Sequence, residues 1–558
     1  MEKENVVLIL KKVLKKKGVV LSDEQISKLV EIPPNSDMGD FSFPCFVLSE
    51  KLKDNPHQIA IELREDIGKF SLEDFEDIQT KGPYLNFFLN RGLMAKKTIL
   101  EITSSKDSFG KTDIGKGKKI LVEHTSINPN ASPHVGRARN AILGDSMVKI
   151  YKFLGFKPEV HYYVNDISKQ IAMLVVAKAE KLSFDKMLST YIKISKQVAD
   201  SKKMEAKVFS ELNKFESGDK KTLAKFKKIT ETCVQGQAKI LKRIGIDYDV
   251  FDFESSYLEE SKDILQQLKK TGKLLADENG RLYVDQSGTQ LDKMMKASVL
   301  VLTRSDGTGL YPLRDIAYTL YKMKISENNI IVLGEDQKLY FLQIKEVMNL
   351  LKSKFPDVLH YSFILLSSTG KSRKMSTRKG DVVLLENFLN ELILKAKKEI
   401  KKRKTEGQPE VVAVAALKYK ILKNAPNKVI QFDTDEALSF DGDTGPYLLY
   451  SYARASSIIN KSKLSKNFDV PKLEEKEFEL IKKLSQFPEI VVSAHKNLNP
   501  SLIANYSYQL AQTFNDFYQN CKVIGSKEED FRLALVQSFR IVLKNSLLLL
   551  GIETVEKM

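Results

Sequence analysis

The stretch "KILVEHTSINPNASPHVGRARNAILGDSM", residues 119–147, decides the fold. It opens with "KILVEHTS", a short apolar run typical of a β-strand, and the loop that follows carries Pro129 and Pro133. Beyond His134, apolar residues recur at helical spacing, namely Ala138, Ala141, Ile142, Leu143 and Met147. A strand, a turn and a helix in this order indicate the opening of a nucleotide-binding α/β unit.

Further strand candidates follow this unit and alternate with helical patterns. They are "EVHYYVND" (159–166), "LYVD" (282–285), "SVLVLTRSDG" (298–307), "NIIVLGEDQ" (329–337) and "SFILLSS" (362–368). Alternating strands and helices predict a parallel sheet. We therefore expect an α/β domain over residues 117–384, with a lysine-rich helical insertion at about 171–260.

The regions on either side of this domain have different patterns. Residues 1–110 combine amphipathic helical segments with the strand-like "GPYLNFFLN" and are expected to form an α+β domain. The polar connector "SSKDSFGKTDIGKGKK" (104–119) reads as a linker. From residue 385 to residue 558 the apolar periodicity is helical, which predicts an all-α bundle.

Composition bounds the class of protein. A chain of 558 residues is too long for a single core, so several domains are expected. The net charge of +17 favours a polyanionic partner, nucleic acid above all, although lysine-rich surfaces can also be merely solvated. Cys45, Cys233 and Cys521 lie too far apart for zinc or redox spacing, so no structural zinc is expected. No apolar run approaches the length of a membrane span, and a cytoplasmic protein without a membrane partner is expected.

Two motifs carry candidate chemistry. In "PHVGR" (133–137), His134 and Gly136 stand at a helix start, where phosphate binds; a purely structural role for both residues is slightly favoured when they are taken alone. The basic loop "GKSRKMSTRKGD" (370–381) follows a strand candidate, and its cations could close over a triphosphate or could be a solvated surface loop.

Together, the two motifs resemble the paired signatures "HIGH" and "KMSKS" of class I aminoacyl-tRNA synthetases. The strings "VEHTSINPN", "YYVND", "LYPLRDIAYTLYK", "KMSTRKGDVV" and "DTGPYLLYSYARASSI" are similar to the arginyl-tRNA synthetase family, and the resemblance spans nearly the whole chain. It implies a multidomain α/β protein with a Rossmann-like catalytic core. It also implies an N-terminal tRNA-contacting α+β domain and a C-terminal all-α anticodon-binding bundle.

The resemblance implies an arginine-tRNA ligase. Such an enzyme activates L-arginine with ATP, bound with Mg²⁺, to arginyl-adenylate and pyrophosphate, and then transfers arginine to the 2′-OH of the 3′-terminal adenosine of tRNA(Arg). Family members usually need tRNA for the first step and are commonly monomers. Alignment of the reactants and cations facing the phosphates suffices for this chemistry, so no protein nucleophile is expected.

The physical chemistry of arginine supports this reading. A planar, permanently charged guanidinium needs carboxylates and an aromatic face, and Tyr311 and Asp315 lie four residues apart, on one face of a helix. The resemblance implies the following sets of residues. Catalytic residues are His134, Arg137, Lys374, Ser376, Arg378 and Lys379; ATP contacts are His134, Gly136, Asn140, Lys374, Met375 and Gln337; arginine contacts are Glu123, Ser126, Asn128, His134, Tyr311, Asp315 and Gln337; tRNA contacts are Tyr447, Arg454, Asn515 and Met558.

Two departures from the family pattern keep alternatives open. Arg137 replaces the second signature histidine, and Thr377 replaces the last signature lysine, for which Lys374 with Arg378 or Lys379 could compensate. The alternatives are a catalytically impaired synthetase-like RNA-binding protein and a class I synthetase for another amino acid. A nucleotidylyltransferase is a third reading, but it leaves the C-terminal helices unexplained. Exposed aromatic side chains in the C-terminal helices could stack on RNA bases. One such stretch holds Phe514, Asn515, Phe517 and Tyr518, of which about half are expected to be buried.

Overall fold

The computed structural model describes residues 2–70, 72–368, 371–373, 383–465 and 467–558. The chain divides into two compact units. The first unit comprises Met1–Phe109, Ala455–Phe487 and Leu510–Val542, and the second comprises Gly110–Arg454, Pro488–Gln509 and Leu543–Met558. The domain boundaries predicted at residues 110 and 384 stay predictions.

The N-terminal segment combines five helices with a small antiparallel sheet. The helices are α1 (Glu2–Lys16), α2 (Asp23–Leu29), α3 (Ser49–Leu52), α4 (Pro56–Ile67) and α5 (Arg91–Ser105). The strands β1 (Phe41–Pro44), β2 (Phe75–Lys81) and β3 (Tyr84–Leu89) pair in the order β1-β3-β2. Gly82 has a φ of +59° in the tight turn between β2 and β3, a conformation that glycine adopts without steric cost.

The second unit is built on a five-stranded parallel sheet. Its strands are β4 (Lys119–Glu123), β5 (Lys157–Val164), β6 (Val250–Phe253), β10 (Asn329–Gly334) and β11 (Asp357–Tyr361), in the order β11-β10-β4-β5-β6. Helix α6 (Val135–Phe153) follows β4, as predicted. It is buried along most of its length, which explains why its sequence lacks a polar face.

A group of four helices follows β5. These are α7 (Lys169–Val176), α8 (Phe184–Asp200), α9 (Lys202–Glu216) and α10 (Lys220–Lys242), which share an apolar core around Phe226 and Ile229. After α10 the chain returns to the parallel sheet, where β6 pairs with β5.

Three of the predicted strands lie outside the parallel sheet, so this part of the prediction is wrong. After α11 (Leu258–Lys270), the strands β7 (Leu274–Ala276), β8 (Leu282–Asp285) and β9 (Val299–Val301) form an antiparallel sheet. The connection between β7 and β8 is too short for the crossover that parallel pairing requires. Strand β12 (Ile364–Ser368) pairs with β13 (Lys371–Arg373) and β14 (Ile430–Phe432) in a third sheet of this unit.

The remaining elements are helical. Helices α12 (Tyr311–Ile325) and α13 (Lys338–Leu350) flank β10 in sequence. Then follow α14 (Leu385–Arg403), α15 (Pro409–Leu422), α16 (Thr434–Ala437), α17 (Gly445–Asn460), α18 (Glu475–Ser485), α19 (Phe487–Lys496), α20 (Ser501–Asn520) and α21 (Glu529–Leu549). A multidomain α/β fold with a parallel sheet and helical C-terminal region is confirmed. Among the residues described, no helix has the length and apolar character needed to cross a membrane.

Candidate active site

The candidate site lies at the carboxyl edge of the parallel sheet, where ligands bind in such folds. Strand β4 ends at Glu123, β5 is followed by Asn165 and Asp166, and β6 is followed directly by Glu254. Because the strands are parallel and adjacent, these residues share one edge. The edge is therefore rich in buried carboxylates.

The turn after β4 has an unusual backbone. Thr125 and Ser126 have φ values of +82° and +40°, in the left-handed region that residues other than glycine rarely adopt. The side chain of Asn140 on α6 holds this turn, since its Oδ1 accepts from the Thr125 amide at 2.5 Å while its Nδ2 donates to the Val332 carbonyl at 2.8 Å. Asn140, predicted as an ATP contact, is thus buried, and both the oxygen and the nitrogen of its side-chain amide are hydrogen-bonded within the protein.

The start of α6 contacts the segment that follows the basic loop. His134 is the N-cap of the helix and pairs with Leu384 in an isolated bridge. The amide of Val135 donates to the Val383 carbonyl at 3.0 Å, and the amide of Leu385 donates to the Pro133 carbonyl at 2.8 Å. The residues immediately after the basic loop therefore lie against the histidine motif, as the resemblance requires.

His134 is poised as a neutral imidazole. Burial, and then the neighbouring Arg137 charge, lower its pKa to about 4, so it is uncharged at neutral pH. Its Nδ1 is buried without a hydrogen-bond partner among the residues described. Gly136 is half-buried and Arg137 is exposed. The predicted Lys374, Met375, Ser376, Arg378 and Lys379, together with Thr377, lie outside the described residues.

Asp315 lies on the face of α12 that the sequence predicted. Its Oδ2 accepts from the Tyr340 hydroxyl at 2.5 Å, and the Tyr340 ring lies 5.3 Å from the ring of Tyr311, which is 54% exposed. Burial is the main cause that raises the pKa of Asp315 to about 6, and the charge of Glu123 raises it further. No cation lies within salt-bridge distance of Asp315 in the part of the chain that the structure describes.

Glu123 is already paired with a cation. Its Oε2 forms a buried ion pair with Nζ of Lys322, which lies 4.4 Å from the Tyr318 ring centroid. Its Oε1 lies 3.5 Å from the Ser126 hydroxyl. Glu123 and Ser126 therefore lie next to each other, and Lys322 already occupies one oxygen of the Glu123 carboxylate.

Glu254 is a site residue that the sequence reading missed. Its Oε1 accepts from Nε of Arg314 at 2.5 Å, whereas its Oε2 is buried without a partner among the described residues. Burial raises the pKa of Glu254 to about 8; Arg314 opposes this shift and Asp315 adds to it. The available signal was "VFDFE" (250–254), a strand followed by an acid, which the strand assignment overlooked. Arg314 pairs with Glu254, not with Asp315.

Other buried polar atoms near this edge also lack partners. Oδ1 of Asn165 and Oε1 of Gln170 have none among the described residues, and the Tyr163 hydroxyl, whose ring stacks on Tyr318 at 4.4 Å, lies near the Asp315 carboxylate. All of these oxygens can accept hydrogen bonds. A ligand rich in donors would satisfy them.

The other predicted pocket residues are more exposed. Gln337 ends the turn after β10 and is exposed, and Asn128 is exposed while its carbonyl accepts from Nε2 of Gln237 at 3.0 Å. These placements leave both side chains accessible to a ligand.

The predicted tRNA contacts are mostly integrated into helices. Tyr447 is half-buried with its ring 5.7 Å from Tyr508, and Arg454 lies 4.8 Å from the Tyr450 ring centroid. Asn515 is buried and Met558 is half-buried. Phe514 and Phe517 are also buried, and Tyr518 is 42% exposed, so packing accounts for more of this stretch than the expected half.

One group of potential metal ligands comes together within the first unit. Glu474, Glu477 and Cys521 lie close to one another, but Arg532 donates to both carboxylates at 2.7 and 2.8 Å. The guanidinium thus occupies the place of a cation in this cluster. Zinc ligation has no support there.

Comparison with known proteins shows which family of proteins the chain matches. Three family models match: an arginyl tRNA synthetase N-terminal domain at residues 4–89, a class I (R) tRNA synthetase catalytic domain at 98–433 and a DALR anticodon binding domain at 448–558. The arginine–tRNA ligase of Clostridium perfringens is 35% identical over 566 residues, covering 97% of this chain and 98% of that protein.

Two further relatives extend this agreement. The arginine–tRNA ligase of Methanocaldococcus jannaschii is 35% identical over 574 residues, covering 99% of this chain and 98% of its own length. The structure of Thermus thermophilus arginyl-tRNA synthetase superimposes with a TM-score of 0.83 and 25% identity, and each chain is covered completely.

Proposed function

The chain belongs to the arginyl-tRNA synthetase family and is an arginine–tRNA ligase, and we propose that its buried acidic cluster is the pocket that selects arginine. Its substrates are arginine, ATP and tRNA, and its catalytic domain is that of a class I synthetase. The question that the geometry addresses is how this chain recognises and activates arginine.

The observation that carries the proposal is a charge deficit. The charge of Glu123 raises the pKa of Asp315, and the charge of Asp315 raises the pKa of Glu254, so these carboxylates lie close together, and two cations pair with them among the described residues. Lys322 pairs with Glu123 and Arg314 pairs with Glu254. A guanidinium supplies the missing positive charge, and its five N–H donors match the unpartnered oxygens.

Each side chain then has a distinct role. Asp315 and Oε2 of Glu254 accept from the guanidinium, and Tyr311 covers it with an aromatic face. Glu123, held by Lys322, and Ser126 accept from donors nearer the turn after β4. Asn128 and Gln337 contact the amino acid's α-substituents.

His134 acts at the phosphates. As a neutral imidazole with an unused Nδ1, it can hydrogen-bond a phosphate oxygen at the N-terminus of α6, where the helix dipole also favours negative charge. ATP enters as its Mg²⁺ complex. The arginine carboxylate attacks the α-phosphate and pyrophosphate leaves, which gives arginyl-adenylate. The 2′-OH of the terminal adenosine then attacks the arginyl carbonyl, loses its proton and displaces AMP.

Gly136, Arg137 and the basic loop complete the phosphate site. We assign Lys374, with Arg378 or Lys379, the charge compensation for Thr377, and Met375 and Ser376 the contacts to ATP. We also propose that the enzyme acts as a monomer, on the family resemblance alone. A cytoplasmic location agrees with its three free, buried cysteines.

The test is ATP-dependent attachment of labelled arginine to total tRNA. The wild-type enzyme is expected to charge arginine and not lysine, and Asp315→Ala is expected to lose charging. Asp263→Asn, which removes an exposed carboxylate on α11, is the matched control and should charge normally. Tight tRNA binding without charging by the wild type would instead support an impaired RNA-binding protein.

A further inference from the structure

A buried lysine joins three distant segments of the second unit. Lys418 on α15 is 0% exposed, and its Nζ donates to the Gly551 carbonyl at 2.8 Å and to Oδ2 of Asp145 at 3.2 Å. Burial lowers its pKa to about 8, against the opposing effect of Asp145. Burying an ammonium group costs folding free energy, so a gain in stability does not by itself explain why a lysine is present at this position.

The C-terminal turn fits this ion pair closely. Gly551 has a φ of +65°, and a Cβ added there would lie 2.5 Å from Nζ of Lys418 and 2.7 Å from Oδ2 of Asp145. A larger residue there would be strained by the positive φ and would displace the ends of both side chains. The neighbouring Ser146 donates its hydroxyl to the Leu549 carbonyl at 2.8 Å. Two consecutive residues of α6 therefore hold the C-terminal turn, Ser146 directly and Asp145 through Lys418.

The same stretch of α6 also packs against His124 in the turn of the candidate site. A Cβ added at Gly144 would lie 2.3 Å from Cγ of His124, the residue that follows Glu123. The charge of Asp145 also acts on the pKa of His124. The residues Gly144, Asp145 and Ser146 thus lie between the C-terminal turn and the strained turn at Thr125 and Ser126.

We propose that Lys418 and Asp145 are positioning residues, which fix α6 to the C-terminal turn and thereby hold the 124–126 turn in the geometry that arginine binding requires. The inference rests on the arginine pocket proposed above. It assigns a role in substrate binding to residues that contact no substrate. Strained backbone conformations persist only where their surroundings hold them, and α6 supplies that support through Gly144 and Asn140.

The experiment uses the full chain and compares arginine KM, kcat and the thermal midpoint. Arginine-dependent pyrophosphate exchange is measured with saturating ATP and tRNA, at least 15 °C below each midpoint. Asp145→Asn and Gly551→Ala are expected to raise arginine KM at least fivefold, and Ser146→Ala, which deletes one hydrogen bond, about twofold.

A matched control separates positioning from general loss of stability. Arg532→Met breaks another buried ion pair, with Glu477 in the first unit, and should lower the midpoint without changing arginine KM. The inference is overturned if Asp145→Asn and Gly551→Ala lower the midpoint while arginine KM stays within twofold of wild type, or if Arg532→Met raises KM equally. Should Asp145→Asn fail to fold, Gly551→Ala decides by the same criterion.

A second comparison separates this inference from the pocket itself. If Asp315→Asn leaves arginine KM unchanged in the same assay, the pocket assignment is wrong. If Asp315→Asn raises KM and the α6 variants do not, only the positioning role is wrong.

Discussion

Replacing Asp315 by asparagine is expected to weaken arginine recognition without disturbing the fold. Asparagine has nearly the same shape, and its carbonyl oxygen can still accept from the Tyr340 hydroxyl. What is lost is the charge on a half-buried carboxylate that has no cation partner among the described residues. The variant therefore reports on the interaction with the guanidinium itself.

The magnitude follows from the kind of bond that is lost. A hydrogen bond to a charged group contributes about 1.5–3 kcal/mol, which corresponds to about 10- to 150-fold in kcat/KM for arginine. Glu254 and Glu123 remain, so the loss should be partial. The KM for ATP should change little, since Asp315 faces the amino acid and not the phosphates.

The pH dependence gives a sharper signature. The pKa values of Asp315 and Glu254 are about 6 and about 8 in the free enzyme, and both groups must be ionised to bind a guanidinium. As pH falls below about 8, kcat/KM for arginine should decline, and below about 6 it should decline more steeply. In Asp315→Asn the inflection near pH 6 should vanish. The upper inflection should move to lower pH, because Asp315 raises the pKa of Glu254.

The assay is arginine-dependent pyrophosphate exchange between pH 5.5 and 9, at saturating ATP and tRNA, with Asp263→Asn as control. The reasoning is refuted if Asp315→Asn keeps kcat/KM within threefold of wild type, or if its profile retains the inflection near pH 6.

Three further outcomes are expected. Glu254→Gln should raise arginine KM about tenfold or more, yet it should stabilise the free enzyme at pH 8. Because the pKa of Glu254 is raised, the fold favours its protonated form, so the stability that this group contributes to the wild type is full below about pH 4.5 and declines as pH rises through 8. Paired denaturant titrations at pH 5 and 8 would show this difference. Lys322→Met should leave Glu123 buried without its cation and cost about 3–5 kcal/mol of unfolding free energy, and a loss below about 1 kcal/mol by urea titration would contradict the pairing. Gly144→Ala should cost about 1–3 kcal/mol because its Cβ would overlap the His124 ring, and an unchanged thermal midpoint would show that the helix can move away.

The sequence predicted local units well and sheet membership poorly. The β4–loop–α6 unit and the placement of Tyr311 and Asp315 four residues apart on one helix depend on short contiguous stretches of sequence, and both are present. "LYVD" and "SVLVLT" were identified correctly as strands but assigned to the wrong sheet. Apolar periodicity shows that a segment is extended, but it does not show which partner it pairs with.

Some residues of the candidate site could also be proposed from the sequence, and others could not. Glu123, Ser126 and Asp315 could be identified because they lie in contiguous motifs, whereas Glu254 follows a strand of only four residues that carries little periodic signal. The roles of the residues between 374 and 382 stay predictions.

The sequence by itself determined the family, the opening strand–turn–helix unit and the two signature motifs, because each of these depends on a short contiguous run of residues. Only the tertiary structure decided which charges meet. Lys322 lies 199 residues from Glu123, and Lys418 lies 273 residues from Asp145. The local sequence around either residue of such a pair does not indicate its partner. A buried charge is tolerated only where the fold brings an opposite charge next to it, and the packing of distant segments decides which residue that is.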